Sequence, residues 1–314
     1  MRLDDLQESS NIEDRRGEGG GFGRGGGIGL PGGAGGLGIG TIIILGLIGW
    51  ALGIDPSLLI GGAEVLTGPG QPQVQAPAGG RRAGTPHDST GQFVSKVLGS
   101  TEEQWRAVFA QAGKNYRAPV LVMYRGMTDA RCGGAAQSAM GPFYCPVDQK
   151  IYLDTSFFDQ IATRFGGCDV GSKSCLFSQA YVIAHEVGHH VQNLLGILPQ
   201  AQQAQQRAGS RADANQIQVQ VELQADCLAG VWANRENASL RAQGKPPFIE
   251  QGDVEAALRT AAAIGDDTLQ RRSQGYVVPD SFTHGTSAQR QRWFNAGLQS
   301  GQISSCNTFA SAQL

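Results

Sequence analysis

The stretch that decides the fold is His185-Glu186-Val187-Gly188-His189, which has the pattern H-E-x-x-H. It lies in a mostly apolar segment, residues 178–195, whose composition predicts a buried helix. Because four residues are close to one helical turn, His185 and His189 project from the same helix face. Two imidazoles held in this way can bind one Zn²⁺, and Glu186 can take a proton from a metal-bound water. The motif therefore predicts a catalytic zinc site.

The sequence around the motif favours this interpretation over two histidines on an ordinary surface helix. Ser178 is a candidate N-cap, and Gly196 followed by Pro199 predicts where the helix ends. A buried imidazole needs a partner, and a metal ion is a suitable one. Gly188 costs helix stability, so we expect another part of the chain to pack closely against the backbone there.

A catalytic zinc ion usually has three protein ligands, so the chain must supply one more. The arrangement with a third histidine would need Gly at Gln192 and His at Leu195, and is excluded. The best alternative is Glu222, a carboxylate on a second predicted helix. Asp226 lies four residues later on the same helix face, where it can accept the N–H of a ligand histidine, most readily His185. A solvated acidic face is the simpler explanation, but the apolar neighbours of these carboxylates favour the site.

Three runs of the sequence occur together in a fixed order. They are G-P-F-Y-C-P-V-D-Q-K-I-Y-L-D from Gly141 to Asp154, H-E-V-G-H-H-V-Q from His185, and E-L-Q-A-D-C-L-A-G-V-W-A from Glu222. With these runs the chain resembles the bacterial neutral zinc metallopeptidase family, over roughly residues 90–310 and the N-terminal region. The resemblance implies a zincin fold with a glutamate as third ligand. It implies His185, His189 and Glu222 as Zn²⁺ ligands and Glu186 as catalytic base.

One histidine outside the motif is a candidate for stabilising the transition state. His284 lies in a loop before a predicted helix, and Arg290 follows six residues later. This spacing resembles a C-terminal motif of other membrane zincins with a glutamate ligand, in which the pair flanks the metal. The resemblance implies that His284 stabilises the oxyanion and that Arg290 supports the site or holds a carboxylate. A loop histidine that caps the next helix is the alternative.

Tyrosines and strands supply further candidates for contact with a substrate. Tyr144, Tyr152 and Tyr181 could each reach an oxyanion, although a buried tyrosine with a bonded hydroxyl is the simpler expectation. Zincins commonly bind a substrate as an added strand at a sheet edge. The clearest strand candidates are Ala118–Tyr124 and Lys150–Asp154, and either could form that edge.

An uncharged run, Ile39–Ile54, predicts a single transmembrane helix. Counted from Leu37 the run has about 18 residues, near the lower limit for crossing a bilayer. A signal peptide or a core helix would be the alternatives. Because the basic residues near the run precede it, the positive-inside rule places the N-terminus in the cytoplasm. The main domain would then lie in the periplasm, anchored to the bacterial inner membrane. The basic residues are Arg15, Arg16 and Arg24.

Six cysteines test the location of the main domain independently. An even number with short local spacings is typical of disulfides in an oxidising compartment. The natural local pairs are Cys132–Cys145 and Cys168–Cys175, which leaves Cys227 with Cys306. A structural zinc site is disfavoured because no C-x-x-C spacing is present, and Cys227 could instead be a buried free thiol.

Composition argues against one class of function and indicates how the chain is divided into segments. The 314 residues carry a net charge of −2, which gives no electrostatic support to nucleic-acid binding. Glycines crowd the N-terminal part and predict disorder there. We predict an α+β, helix-dominated fold, a zincin-like metallopeptidase domain with a small sheet. The predicted units are a disordered glycine-rich cytoplasmic tail (1–38), a transmembrane anchor (39–54), a Pro/Gly-rich flexible tether (55–91) and the zinc metallopeptidase domain (92–314).

These features together predict a membrane-anchored zinc metallopeptidase that hydrolyses peptide bonds in peptide or protein substrates. Zn²⁺ is the expected cofactor and Glu186 the expected general base. A non-catalytic envelope factor, which binds or assembles partners on a zincin scaffold, is the alternative. The presence of Glu186 beside a complete set of ligands argues against it, because binding alone does not need this carboxylate.

Overall fold

The computed structural model describes residues 1–17, 82–83, 86–132, 134–137, 141–169, 172 and 174–311. Within these ranges the fold is an α+β arrangement dominated by helices, as the sequence predicts. The strands are β1 Ile12–Asp14, β2 Arg82–Ala83, β3 Val120–Tyr124, β4 Met127–Ala130, β5 Gly134–Gln137, β6 Phe143–Cys145 and β7 Lys150–Asp154. The helices are α1 Ser89–Gln111, α2 Phe157–Thr163, α3 Ser174–Leu194, α4 Ile197–Gln206, α5 Arg211–Ala242, α6 Asp253–Ala263, α7 Asp266–Gln274 and α8 Ser287–Ser300. Turns of 3-10 helix lie at Pro279–Ser281 and Ile303–Cys306.

The main sheet is mixed, with the strand order β2-β1-β3-β7-β6. Strand β3 pairs in parallel with both β1 and β7, whereas β6 pairs antiparallel with β7. The predicted strands at 118–124 and 150–154 are confirmed as β3 and β7. Both lie inside the sheet, so the prediction that one of them forms an edge is wrong.

Side chains alternate along each strand, so the sheet has two faces. Each face packs against a different part of the chain. Leu121 and Ile151 belong to the large core that the helices build. Val122 and Tyr152 belong to a smaller cluster on the other face, together with residues of the β4–β5 hairpin. The sheet is therefore a layer between the helices and this hairpin.

The N-terminal segment, residues 1–17, is part of the folded domain. Ile12 lies in the sheet through β1, and Met1 and Leu6 are buried in the large core. The terminal amine of Met1 forms a buried ion pair with Asp253 at the start of α6, at 2.7 Å. Lys150 of β7 donates to Glu13 at 2.7 Å. These contacts tie the first strand to the rest of the domain.

The prediction of a disordered tail over residues 1–38 is therefore wrong for residues 1–17. Burial of Met1, Leu6 and Ile12 offsets the entropy lost on ordering this segment. The basic side chains also find carboxylates here, because Arg15 pairs with Glu13 and Arg16 pairs with Asp14. The order of this segment could not be predicted from composition, because a three-residue strand beside a glycine-rich stretch has almost no hydrophobic pattern.

Two helix boundaries also differ from the sequence prediction. Helix α3 begins at Ser174, and the predicted N-cap Ser178 lies buried inside it. The run Ser100-Thr101-Glu102-Glu103 has the pattern of a capping box and would predict a helix start there. Helix α1 instead begins after its N-cap Asp88, so this run lies inside the helix. Ser100 instead accepts a hydrogen bond from the Trp232 indole at 2.9 Å.

Helices α5 and α8 lie in close contact because each has a glycine at their crossing. A Cβ atom at Gly230 would overlap the carbonyl oxygen of Phe294, and one at Gly297 would overlap that of Cys227. No larger residue fits either position unless the helices separate. This crossing fixes the start of α8, which carries Arg290, relative to α5.

Among the helices that the structure describes, none combines the length and apolar character needed to cross a bilayer. The predicted anchor at 39–54 and most of the predicted tether at 55–91 lie outside the described residues. Within the predicted tether, β2 at Arg82–Ala83 pairs with β1, and residues 89–91 belong to α1, so folded structure begins before the predicted boundary at residue 92.

Candidate metal centre

Three side chains from two helices converge at one buried point. They are His185 and His189 of α3 and Glu222 of α5. The Oε2 atom of Glu222 lies 3.2 Å from His185 Nε2 and 3.5 Å from His189 Nε2. The structure thus brings together the three residues that the sequence predicts as ligands.

The spacing of these atoms suits a tetrahedral zinc ion. Ligand atoms about 2.0–2.1 Å from zinc lie about 3.3 Å apart at tetrahedral angles. The two distances from Glu222 to the imidazole nitrogens, 3.2 and 3.5 Å, lie on either side of that value. Two imidazoles and one carboxylate are also a ligand set that leaves a fourth position for a reactant. The donor set therefore fits zinc.

The close approach of the two helices at Gly188 makes this convergence possible. A Cβ atom there would lie 3.0 Å from the carbonyl oxygen of Ala225 and 3.1 Å from its Cα atom. Both contacts are to backbone, which cannot move away as a flexible side chain could. The prediction that something packs closely against this glycine is confirmed.

Asp226 orients the first histidine, as the sequence predicts. Its Oδ1 atom lies 2.8 Å from His185 Nδ1, so the opposite ring nitrogen faces Glu222. Burial by itself would lower the pKa of His185, but the neighbouring carboxylates, Asp226 above all and then Glu222 and Glu186, raise that pKa to about 10. A cation that binds here has to displace the proton from this ring.

Arg290 holds the Asp226 carboxylate from the other side. Its guanidinium donates to Asp226 through Nε at 2.8 Å and through Nη2 at 2.9 Å. The Tyr181 hydroxyl donates to the same carboxylate at 2.5 Å. Burial would raise the pKa of Asp226, but Arg290 and His185 hold it well below its ordinary value. The carboxylate-holding role expected for Arg290 agrees with this geometry.

The other two candidate ligands also have polar partners. Gln218 donates to Glu222 Oε1 at 2.9 Å, which leaves Oε2 toward the histidines. His189 Nδ1 lies 2.9 Å from the side-chain oxygen of Gln192. Burial would raise the pKa of Glu222, but the charge of His189 and the hydrogen bond from His185 lower it well below the usual value. Glu222 is therefore an ionised ligand candidate.

Glu186, the predicted general base, is buried beside the three candidate ligands. Burial raises its pKa, although the charges of His185 and His189 oppose this shift. The backbone amide of Tyr144 also acts to lower the pKa of Glu186, which places β6 next to this carboxylate. A carboxylate with a raised pKa is suited to taking up and giving back a proton.

Strand β6 is thus the sheet edge beside the motif helix. In the described part of the sheet it pairs only with β7. Sequence reasoning missed it because Phe143–Cys145 is a three-residue run between Pro142 and Pro146. A strand is recognised in a sequence from roughly four to eight residues with alternating side chains. A three-residue run contains only about one such alternation and is too short.

The hydroxyl groups of the three candidate tyrosines are all engaged elsewhere. Tyr181 donates to Asp226, and Tyr152 donates to Asp148 at 2.7 Å. The Tyr144 hydroxyl lies 3.0 Å from His190 Nδ1 and accepts from Asn193 at 3.0 Å. The simpler expectation, buried tyrosines with bonded hydroxyls, describes them correctly.

His190 is a structural residue in this network. Its Nε2–H donates to the carbonyl oxygen of Arg117 at 2.6 Å, so Nδ1 accepts from the Tyr144 hydroxyl. Burial lowers the pKa of His190 to about 4, and the ring is neutral near pH 7.

His284 lies in a loop that packs against the Glu222 helix. The next residue, Gly285, contacts α5 so closely that a Cβ atom would lie 3.2 Å from side-chain atoms of Val219 and Leu223. These two residues flank Glu222 in the sequence, and the charges of His284 and Glu222 interact. Within the described residues His284 Nε2 makes no hydrogen bond, which leaves it available to a bound group.

Asp266 fixes this loop and was not found from the sequence. Its Oδ2 atom accepts from the backbone amides of Thr283, His284 and Gly285 at 2.7, 2.6 and 3.0 Å. Its Oδ1 atom lies 3.3 Å from His284 Nδ1. Burial would lower the pKa of His284, but the hydrogen bond and charge of Asp266 raise it above its ordinary value. No sequence motif links two residues 18 positions apart in this way.

All six cysteines form disulfides, in the pairs that the sequence predicts. They are Cys132–Cys145, Cys168–Cys175 and Cys227–Cys306, with Cα–Cα distances of 5.6, 5.2 and 5.5 Å. The first pair holds β6 at the sheet edge. The last pair joins α5, one residue after Asp226, to the C-terminal segment.

Comparison with known proteins agrees with this site. The chain is 47% identical over 313 residues to Uncharacterized protein YpfJ of Escherichia coli (strain K12), covering 98% of this chain and 99% of the relative. It is 41% identical over 226 residues to Uncharacterized protein Rv2575 of Mycobacterium tuberculosis, covering 71% of this chain and 73% of the relative. No solved structure matches the chain.

The family comparison covers the N-terminal segment as well as the metal centre. The sequence pattern of the family described as "Putative neutral zinc metallopeptidase" matches residues 1–309. The match includes β1, the H-E-x-x-H helix and the helix of Glu222 and Asp226. The chain therefore belongs to this zinc metallopeptidase family.

Proposed function

We propose that this chain is a zinc-dependent peptidase that hydrolyses peptide bonds in peptide or protein substrates. The observation that supports this most strongly is Glu186, buried beside His185, His189 and Glu222 at the end of β6. Three ligands would be enough to hold an ion. Glu186, a fourth side chain at the same point, is a carboxylate with a raised pKa and adds a proton acceptor, which hydrolysis needs and binding does not.

The residues of the site would have three separate roles in hydrolysis: holding zinc, transferring a proton and orienting a ligand. His185, His189 and Glu222 would hold zinc, which when bound lowers the pKa of water and polarises a carbonyl group. Glu186 takes a proton from the attacking water and passes it to the leaving amine. Asp226 and Arg290 keep the His185 ring in the orientation that the site requires.

His284 is our candidate for stabilising the oxyanion of the transition state. The hydroxyl groups of Tyr144, Tyr152 and Tyr181 all bond within the protein, whereas His284 keeps Nε2 for a substrate. Asp266 favours the charged imidazolium, and a cationic donor suits a developing negative charge.

A peptide substrate would add to the sheet along β6. This strand has one side without a partner in the described sheet, and its Tyr144 amide lies beside Glu186. An extended peptide there would form backbone hydrogen bonds and place one of its bonds near the candidate metal centre. The Cys132–Cys145 disulfide would keep the strand in place as the peptide binds.

We also propose that the folded domain, with residues 1–17 in its sheet, lies outside the cytoplasm, and that the apolar run at 39–54 attaches it to the inner membrane. The domain holds three disulfides, and disulfides persist in oxidising compartments. Its substrates would then be peptides or proteins of the cell envelope.

The test compares the full chain with its Glu186→Gln variant. Both proteins are loaded with zinc and incubated with a library of peptides derived from a whole proteome, and the products are identified by mass spectrometry. We expect the wild type to cleave and Glu186→Gln to lose at least about 10²-fold in rate with equal zinc content. Glu103→Gln, at an exposed carboxylate of α1, is the matched control and should cleave like the wild type.

The full chain is used because residues 1–17 belong to the sheet. Cleavage that survives Glu186→Gln would contradict the proposed mechanism. A wild type that binds zinc and peptides but cleaves none would favour the non-catalytic envelope factor.

A further inference from the structure

A row of buried side-chain amides connects His189 to the C-terminal segment. His189 Nδ1 lies 2.9 Å from Gln192 Oε1, and Gln192 Nε2 donates to Gln224 Oε1 at 2.9 Å. Gln224 Nε2 in turn donates to the carbonyl oxygen of Cys306 at 2.9 Å. Cys306 is bonded to Cys227 of α5. The row therefore runs from a candidate zinc ligand to a covalent crosslink.

Backbone carbonyl groups fix the direction of every hydrogen bond in this row. A carbonyl oxygen can only accept, so the Gln192 atom that lies 2.8 Å from the Val221 carbonyl must be the amide nitrogen. The same argument fixes Gln224 at the carbonyl of Cys306. Turning either amide over would bring two oxygen atoms together inside the protein.

The fixed amide of Gln192 determines which nitrogen of His189 carries the proton. Because both N–H groups of Gln192 are used by Val221 and Gln224, its oxygen faces the ring and can only accept. His189 must then donate from Nδ1, which leaves the Nε2 lone pair toward Glu222. This is the tautomer that binds a metal through Nε2.

The row is shielded from water along its length. The exposed fractions are 0% for Gln192, 7% for Gln224 and 1% for Cys306. Water therefore cannot readily replace a lost hydrogen bond, and removing one link leaves its neighbours without a partner. His185 has a charged partner in Asp226, whereas His189 depends on these neutral amides.

We propose that Gln192 and Gln224 are positioning residues for His189, and that the Cys227–Cys306 disulfide holds the far end of the row. The proposal rests on the proposed function, because His189 has to be a zinc ligand. Both glutamines lie in the sequence runs that characterise the chain, one in H-E-V-G-H-H-V-Q and one in E-L-Q-A-D. Loss of hydrogen-bond partners behind a metal ligand typically lowers metal affinity about 10–100-fold.

The decisive variant is Gln224→Leu, because Gln224 is separated from His189 by Gln192. Zinc affinity of the full chain is measured by competition with a chromophoric chelator, and the fold is monitored by circular dichroism. We expect Gln224→Leu to bind zinc about 10-fold more weakly than the wild type while remaining folded. Gln104→Leu is the matched control, since Gln104 is a buried amide that donates to Glu236 between α1 and α5. It should lose thermal stability and keep its zinc affinity.

Two further measurements test the ends of the row. Replacing Cys227 and Cys306 by serine should weaken zinc binding, whereas replacing Cys168 and Cys175, at the start of α3, should not. Long-range ¹H–¹⁵N spectra of the zinc-loaded protein should show the proton of His189 on Nδ1.

The outcomes separate this inference from the proposed function. A wild type that binds no zinc would overturn both. A wild type that binds zinc, together with Gln224→Leu of unchanged affinity, would overturn the inference and leave the proposed function standing. So would an equal loss of affinity in Gln104→Leu, or a proton on His189 Nε2 in the zinc-loaded protein.

Discussion

Two carboxylates near the metal centre each accept several hydrogen bonds. Asp226 accepts from His185, Tyr181 and Arg290, and Asp266 accepts from three consecutive backbone amides beside His284. Both carboxylates are buried, so each donor would otherwise be left without a partner. Asp226 and Asp266 consequently set the positions of the two candidate histidines, His185 and His284.

Replacing Asp266 by Asn should change the pH dependence of activity. The pKa of His284 is raised by Asp266, so its imidazolium persists to a higher pH than in an ordinary histidine. Asn keeps an acceptor for the loop amides but loses the charge, so the pKa of His284 falls. If the imidazolium stabilises the oxyanion, the decline of kcat with rising pH should move to lower pH in Asp266→Asn. An unchanged alkaline limb would argue against this role.

His284→Ala and Tyr144→Phe should separate the two candidates for oxyanion stabilisation. We expect His284→Ala to reduce kcat by about 10²–10³-fold with zinc content unchanged, as for loss of an oxyanion donor. Tyr144→Phe loses only the hydrogen bonds with His190 and Asn193, so its effect should fall mainly on thermal stability. The reverse pattern would assign the role to the tyrosine. Steady-state kinetics and zinc analysis of both variants provide the comparison.

Residues on one helix could be predicted from sequence, whereas partners from distant segments could not. The pairs His185 and His189, and Glu222 and Asp226, follow from the spacing of four residues on a helix. Asp266 and β6 escaped because their contacts join separate segments and have no periodic pattern. Gln192 and Gln224 are present in the sequence motifs, but only the structure shows that they bond to each other.

At the level of the elements, the crossing of α3 and α5 determines the geometry of the site. Each helix carries part of the candidate ligand set, and Gly188 allows their backbones to approach near that point. Helix α8 then packs on α5 through Gly230 and Gly297 and brings Arg290 to Asp226. The site therefore depends on helix packing more than on any loop except that of His284.

Gly188→Ala tests whether the site depends on the close crossing of α3 and α5. The substitution has two effects of opposite sign on stability, one from helix propensity and one from packing. Alanine at an interior helix position gains about 1 kcal/mol over glycine in intrinsic propensity. Overpacking against the Ala225 backbone costs about 1–3 kcal/mol and pushes the two helices apart. We expect weaker zinc binding and a net loss of thermal stability, measured by chelator competition and calorimetry. A variant more stable than the wild type with full zinc affinity would show that the crossing tolerates the extra methyl group.

At the level of the whole molecule, the domain is assembled from both ends of the chain. The β1 strand comes from the first 17 residues and lies between β2 and β3. Its neighbours in the core include residues of α1, while the terminal amine pairs with α6. Helix periodicity predicts most of the helical core, but no local pattern in the sequence indicates that Ile12–Asp14 is a central part of the sheet.

The pairing of β1 with β3 restricts how the polypeptide can be threaded through a lipid bilayer. Two strands that share hydrogen bonds must occupy the same aqueous phase. Residues 1–17 and the domain that contains β3 therefore lie in one compartment. The sidedness predicted from Arg15 and Arg16 would instead place the two ends in different compartments, and it stays a prediction that labelling in cells can test. In the structure both arginines are engaged in ion pairs.

Labelling in intact cells would show directly whether residues 1–17 and the rest of the domain share a compartment. A cysteine placed at exposed Asp4 and, in a second protein, one placed at exposed Glu103 should react alike with a maleimide that cannot cross the inner membrane. Different reactivity at the two positions would contradict a common compartment. A common compartment also means that, if the domain is exported, residues 1–17 must be carried across with it, because β1 cannot be separated from the sheet.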